Sequence, residues 1–455
     1  MAPQGERERV IVILGATGTG KTKLAIEIAK ALRGGEVGAS TSGQGRPVVN
    51  CEVVNCDALQ MYRGAPIVTN KATSEEQSGV RHHLLGFAPP TEDFNPQKFR
   101  KLWSQVLDRM RAVPGHTMPI LVGGSDYYVK TLLTRQFDLS TVTPDTVSAE
   151  DADPQSPPGA PLRDLDQDQG QPPREDGEGS LGDFERLREV DSASAAWLHP
   201  NNTRRVRRYL EIFEATGVPA SVLFKRQRTE QRAEGNMLYD ACVFLLDARD
   251  EVLGPHLRAR ADAMADRGMV AELEDLYSSH EPSDRERGIF QAIGVREFRE
   301  AFAGSDSNSR ALSEFVEEVK KNTIRLAKKQ RRRMLAWLEG AGIPYCSLDL
   351  SRVLGSSGEE RNGIWREDVL ERALSHLTAF LSPRPTPSPS SSSPPPPPPP
   401  MEERKVYRCL LCDRTLRGRL ERDQHARSRA HRKRKAKARK QGRSVPQDEF
   451  EVLTL

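Results

Sequence analysis

Val10-Ile11-Val12-Ile13-Leu14-Gly15-Ala16-Thr17-Gly18-Thr19-Gly20-Lys21-Thr22 is the stretch that decides the fold. Five apolar residues in a row read as a buried strand. The next eight complete the pattern G-x-x-x-x-G-K-[ST], and Leu24, Ile28 and Leu32 then recur at helical spacing. A strand, a glycine-rich turn and a helix N-terminus make a phosphate cradle. Backbone N–H groups point at phosphate oxygens, the helix dipole favours their charge, Lys21 adds a cation and Thr22 offers a hydroxyl to Mg2+. Gly15, Ala16, Thr17, Gly18, Thr19, Gly20, Lys21 and Thr22 are therefore the expected polyphosphate contacts. The motif does not say which polyphosphate binds, or what becomes of it.

Residues 10–140 alternate short apolar runs with helical patterns. Strands are predicted at Val10–Leu14, Val48–Asn55 and Pro119–Val122, and helices at 21–33, 95–112 and 125–134. That rhythm predicts a parallel α/β sheet with its phosphate chemistry at the carboxyl edge. The second strand leads into Asp57-Ala58-Leu59-Gln60. An acid there can serve as a general base or reach Mg2+ through water, or it can simply cap a helix. Gly123-Gly124-Ser125 closes the third strand and permits close backbone approach. His82 and His83 point to opposite faces of a strand and so are read as packing residues rather than as metal ligands.

The net charge of +4 hides an asymmetry. Residues 404–443 carry 17 Lys/Arg against 3 Asp/Glu, a local charge of +14, which leaves −10 for the rest. A polyanion-binding tail is thus joined to a mildly acidic body. Six cysteines are too few and scattered for a disulfide framework, which predicts a reducing compartment. No apolar run reaches a membrane span, and residues 1–9 make a poor leader. The chain is expected to be a cytoplasmic monomer that does not engage a membrane, with nuclear and mitochondrial pools left open.

Seven segments are expected. They are a first part of the catalytic core (8–140), an unfolded acidic insertion (141–182), a basic helical insertion (183–235), the rest of the core with basic helices (236–345), a helical extension (346–381), a Pro/Ser-rich linker (382–403) and a small basic module (404–443). In the acidic insertion ten acids and two arginines fall between Asp145 and Glu178. Arg204, Arg205 and Arg208 crowd one helix, where they suit phosphate or an RNA backbone, or form a solvated face paired with Glu211 and Glu214. Arg258 and Arg260 are both placed to clamp a diphosphate, and spacing does not choose between them. Residues 320–333, with Arg325 among them, form an electrostatic stripe suited to nucleic acid. Cys409-x2-Cys412-x12-His425-x5-His431 has the spacing of a structural C2H2 zinc site. The basic run that follows favours nucleic acid as the finger's partner.

Taken together these motifs resemble the tRNA dimethylallyltransferase (tRNA isopentenyltransferase) family, in its eukaryotic type with a C-terminal finger. The matching stretches are Gly15–Thr22, Cys56–Lys71, Gly79–Leu85, Leu121–Leu133, Leu198–Pro219, Asp247–Leu276, Gln291–Phe298 and Thr323–Gln330, in family order. The resemblance implies a P-loop NTPase-like parallel sheet core with a helical insertion domain and a small zinc finger. It also implies a reaction: transfer of the dimethylallyl group of dimethylallyl diphosphate to N6 of adenosine 37 in tRNA, with release of diphosphate. By resemblance Asp57 is the general base, Arg260 rather than Arg258 binds diphosphate with Lys21 and Thr22-bound Mg2+, and Asp57, Ala58, Leu59, Gln60 and Ser125 hold the extruded adenosine. Arg204, Arg205, Arg208 and Arg325 are the expected tRNA contacts, and catalytic Mg2+ and structural Zn2+ the expected ions. The family usually has Asp-Ser where Asp57-Ala58 stands, so one hydroxyl is lost. In the finger, Leu416 and Leu420 are the expected core, and Arg422 stands where an apolar residue is usual, which predicts a weak mini-core. The competing reading is a P-loop nucleotide kinase or ATPase carrying an RNA-binding finger.

Overall fold

In this computed structural model the described residues are 7–35, 48–113, 116–134, 179–196, 198, 200, 202–232, 237–302, 311–382, 406–410, 412, 414–417, 426, 431–432, 435 and 450–453. The chain forms two compact units, one of residues 1–154 and 158–384 and one of 155–157 and 385–455.

The first unit is built on a six-stranded sheet of order β3-β2-β4-β1-β5-β6, with every recorded pairing parallel. Its strands are β1 Arg9–Gly15, β2 Val48–Asn55, β3 His82–His83, β4 His116–Gly123, β5 Asp240–Asp247 and β6 Cys346–Asp349. β1 lies centrally, with Ile11 against Ile120 of β4 and against Cys242 of β5. Val10, Ile11, Val12, Ile13 and Leu14 are all fully buried. Val10, Val12 and Leu14 feed one core and Ile11 and Ile13 the other, so the unbroken apolar run serves both faces of the sheet. Truncating one of these side chains to Ala would cost about 2–5 kcal/mol.

The helices are α1 Lys21–Arg33, α2 Ser74–Gln77, α3 Pro96–Ala112, α4 Asp126–Leu133, α5 Gly179–Val190, α6 Ser192–Ala195, α7 Thr203–Thr216, α8 Ala220–Arg232, α9 Asp250–Asp266, α10 Met269–Ser278, α11 Leu312–Gly340, α12 Ser351–Gly355, α13 Gly358–Ile364 and α14 Arg372–Leu381. Among the described residues none is long and apolar enough to cross a membrane. A π-helical stretch, Trp365–Glu371, joins α13 to α14. Helices α5–α8 enclose a separate small core of Leu187, Val206, Leu210 and Leu223. Buried Asp191 ties it together by accepting from Ser194 N at 2.9 Å, Ser194 Oγ at 2.7 Å and Ser221 N at 2.9 Å, so its charge is fully hydrogen-bonded.

Two boundaries shift. Residues 179–182, expected to close the unfolded insertion, are the first turn of α5, because the helical spacing of Leu181, Phe184 and Leu187 begins there. The preceding acidic residues, 141–178, lie outside the described residues, as do 383–403 of the linker. Cys346–Asp349, read as the start of a helical extension, is instead edge strand β6, too short to show a period. His82 Nδ1 meets Val80 O at 2.8 Å and His83 Nε2 meets Glu52 at 2.6 Å, so the two rings have separate partners.

In the second unit β7 Val406–Cys409 pairs antiparallel with β8 Arg414–Arg417 and with β9 Phe450–Leu453. The third strand falls beyond the 404–443 module expected from sequence. Its Phe450 stacks on His431 with ring centroids 5.8 Å apart and packs against Cys409. An aromatic from β9 thus fills the mini-core that the zinc spacing alone left thin.

Candidate active site and metal centre

The turn after β1 is shaped by Gly18 and Gly20, which take left-handed φ values of 81° and 74°. Gly20 is also the N-cap of α1, so the helix opens on the loop itself. Thr19 Oγ1 donates to Ala16 O at 2.9 Å, and Lys21 Nζ folds back to the same carbonyl at 2.7 Å. Arg260, one helix away on α9, donates through Nη1 to Thr17 Oγ1 at 3.3 Å. Arg258 points elsewhere, to Glu317 at 3.4 Å. Of the two arginines that spacing left open, Arg260 is the one that reaches the phosphate loop.

Asp57 follows β2. Its Oδ1 accepts from Leu59 N at 3.1 Å, which closes a tight turn rather than capping a helix. Among the described residues its Oδ2 receives no hydrogen bond from the protein. Ser125 Oγ accepts from Ala58 N at 3.1 Å, which pins the same turn from the end of β4. Gln60 Nε2 donates to Thr69 O and Asn70 O at 3.2 and 3.1 Å. Gly123 is required by contact: a Cβ there would stand 2.1 Å from Cys56 O.

Two clefts meet at these residues. One, of about 510 Å³, is lined by Gly18, Gly20, Lys21, Thr22 and His256. The other, of about 150 Å³, is lined by Ala58, Leu59, Ser125, Met264, Ile293 and Lys329. Thr17, Asp57, Gln60 and Arg260 line both. Burial lowers Lys21 from 10.5 to about 8, with the charge of Asp57 opposing the shift and that of Arg260 adding to it. Lys71 is also lowered to about 8, chiefly by burial, with Glu272 and Asp57 opposing. Burial likewise draws Arg260 below its ordinary value, with Asp57 opposing. His256 is lowered by burial and by Arg260 and Arg361, while its hydrogen bond with the Gly18 backbone opposes. The charge of Asp57 thus opposes the effect of burial on three cations, Lys21, Lys71 and Arg260.

Sequence reasoning passed over Gln330 as one residue of a basic helix. Its Oε1 accepts from Thr17 N at 2.9 Å, which fastens α11 to the phosphate loop. Lys329 and Arg333 of that helix line the smaller cleft. Arg325 is exposed, donates to Asn322 Oδ1 at 3.0 Å and lines neither cleft. On α7, Arg208 pairs with Glu211 at 3.0 Å and Arg205 is half-buried. Neither lines the clefts, and the Arg204 side chain lies outside the described residues.

In the second unit the ring nitrogen Nδ1 of His431 stands 3.5 Å from Cys409 Sγ and 3.4 Å from Cys412 Sγ. A tetrahedral zinc with Zn–S of about 2.3 Å and Zn–N of about 2.0 Å holds such atoms about 3.5 Å apart, so the three donors fit the ion. Cys409 and His431 are buried, as a closed structural site requires. His425 lies outside the described residues.

The IPP transferase family profile matches residues 60–336. tRNA dimethylallyltransferase 2 of Arabidopsis thaliana is 30% identical, covering 94% of this chain and 92% of that protein. The Homo sapiens tRNA dimethylallyltransferase is 30% identical over 93% of this chain and 85% of its own length. The crystal structure of a eukaryotic dimethylallyltransferase acting on tRNA shares the fold, with a TM-score of 0.66 at 23% identity over 96% of this chain and 98% of that one. Because the profile takes in more than half of the sequence and the plant relative aligns along nearly all of it, the chain belongs to the IPP transferase family.

Proposed function

We propose that this chain transfers the dimethylallyl group of dimethylallyl diphosphate to N6 of adenosine 37 in tRNA. The observation that carries the reading is the position of Asp57, with one oxygen committed to a turn, the other open, and the residue lining both clefts. A displacement needs its two reactants to meet at one point beside a base, and only there do the clefts share residues. The adenine amine attacks C1 of the prenyl group, the C1–O bond breaks, and the amine proton passes to Asp57. The amides of residues 18–22, with Lys21 and Arg260, receive the charge that develops on the departing diphosphate. Thr22 and Asp57, both lining the larger cleft, are of the oxygen-donor type that holds Mg2+, which would supply further charge neutralisation. Extruding the base costs a few kcal/mol, less in an anticodon loop than in a duplex.

Family membership favours this over a nucleotide kinase or ATPase, as does the Gly123-Gly124 end of β4 in place of an acid. Cys409, Cys412, His431 and His425 are proposed as a complete zinc site, and the basic residues around it, with Arg204, Arg205, Arg208 and Arg325, as contacts to the tRNA backbone. Incubating the protein with tRNA, Mg2+ and dimethylallyl diphosphate, then digesting the tRNA for nucleoside mass analysis, is expected to yield N6-prenyladenosine. Its absence refutes the reading.

A further inference from the structure

We infer that Trp365, supplied by the helical extension beyond the family profile, is a positioning residue for the diphosphate: it seats Gly20 of the phosphate loop and directs Lys23 into the diphosphate cleft. The inference rests on the transfer reading above and names how that site is held.

Three contacts converge on one buried ring. A Cβ built on Gly20 would lie 3.0 Å from the six-membered edge of Trp365, so the indole backs the loop at its left-handed N-cap. Trp365 Nε1 donates to Glu27 Oε2 at 2.6 Å. Lys23 Nζ sits 4.4 Å from the ring centroid, a cation–π contact on the first turn of α1.

Lys23 and Glu27 stand four residues apart on α1 and line the larger cleft together. On a free helix such a pair attracts. Here they form no ion pair among the described residues, because Trp365 occupies both partners: its N–H takes the carboxylate and its face takes the ammonium. The acid is tied down and the lysine is left turned to a cleft that also holds Lys21, Lys30 and Arg260. Trp365 opens the π-helical stretch. Wide turns of that kind are rare and recur at functional sites.

The test compares Trp365→Leu, Trp365→Phe and Lys23→Met with the parent chain. Trp365→Leu and Lys23→Met are each expected to raise KM for dimethylallyl diphosphate about tenfold, with KM for tRNA unchanged. Trp365→Phe, which keeps a ring under the ammonium but lacks the N–H that holds Glu27, is expected to recover only part of that loss. The Trp365→Leu/Lys23→Met double variant is expected to be no worse than the poorer single one, since both remove the same contact. Inorganic diphosphate with Mg2+, titrated calorimetrically against all five proteins, gives the same ranking without any transfer step. An unchanged KM and diphosphate affinity in Lys23→Met overturns the inference, since that exposed residue does not hold up the core. So does a Trp365→Leu protein whose two KM values rise together as its Tm falls. A parent chain that binds diphosphate but makes no prenyladenosine sinks the transfer reading instead, while the binding ranking still decides the role of Trp365.

Discussion

The backbone amide of Thr17 donates to Gln330 Oε1 at 2.9 Å, so one amide of the phosphate loop is held by a side chain from α11, 313 residues further along the chain. The loop is organised from a distance as well as by its own glycines. Gln330→Ala leaves that half-buried donor without its protein partner, a cost of about 1 kcal/mol. We expect kcat/KM for dimethylallyl diphosphate to fall about tenfold or more in steady-state assays. Gln330→Glu keeps an acceptor but adds a negative charge beside the diphosphate, and we expect it to be the poorer enzyme of the two.

Asp57→Asn should abolish transfer while sparing tRNA binding. Asparagine keeps an Oδ1 for the Leu59 amide, so the turn survives, but it accepts no proton. A general base is worth about 10²- to 10⁴-fold. Single-turnover rates beside filter-binding affinities give the check. Equal loss of both would make Asp57 a structural turn residue.

Lys21 sets a pH dependence. Its folded value of about 8 lies below the ordinary 10.5, so burial disfavours the ammonium. As pH rises through about 8 the free protein loses that charge, and diphosphate affinity should weaken. The burden of the buried charge is carried in full below about 8 and relieved as pH climbs toward 10.5, so this group makes the ligand-free fold more stable across that window. Calorimetry in buffers of different ionisation enthalpy should show proton uptake when diphosphate binds near pH 8. Lys21→Met should remove the uptake.

Gly123→Ala puts a methyl group 2.1 Å from the Cys56 carbonyl, a contact that only backbone movement relieves. Because Cys56 N also donates to Val122 O at 2.7 Å, the movement would pull at the edge of the sheet and displace Asp57. Thermal unfolding should show a Tm lower by several degrees, with activity lost even well below it.

Chelation of zinc, or Cys409→Ser, should unfold the 385–455 unit while prenyl transfer to a short anticodon stem-loop persists. Far-UV circular dichroism with the stem-loop assay separates the two. We further expect deletion of 401–455 to weaken full-length tRNA binding and flatten its salt dependence.

Much of this was readable in the residues. The 10–22 stretch carries strand, turn and helix signals that agree, and the central place of β1 follows from its unbroken apolar run. What escaped reading depends on partners distant in sequence. β6 is four residues long and becomes a strand only beside β5. Gln330 looks like one more polar position in a basic helix until its amide faces Thr17. Phe450 lies beyond the Cys/His spacing, and no spacing rule connects it to His431. The turn around Asp57 was ambiguous in the sequence, because a helix cap and a base call for the same residue in the same place, and only the structure shows that Asp57 closes a tight turn.

The order of strands in the sheet has a consequence for how the chain is made. β1 needs β4 on one side and β5 on the other, yet β5 is synthesised more than a hundred residues after β4 ends. At ribosomal speeds that interval is on the order of ten seconds. Throughout it the most apolar strand of the nascent protein has one open seam, and the helical insertion, which has a core of its own, is completed only as the interval ends. The seam is a ready template for a wrong strand. Codon choice and chaperone access between residues 124 and 240 should therefore govern the yield of active protein more than they do anywhere else in the message.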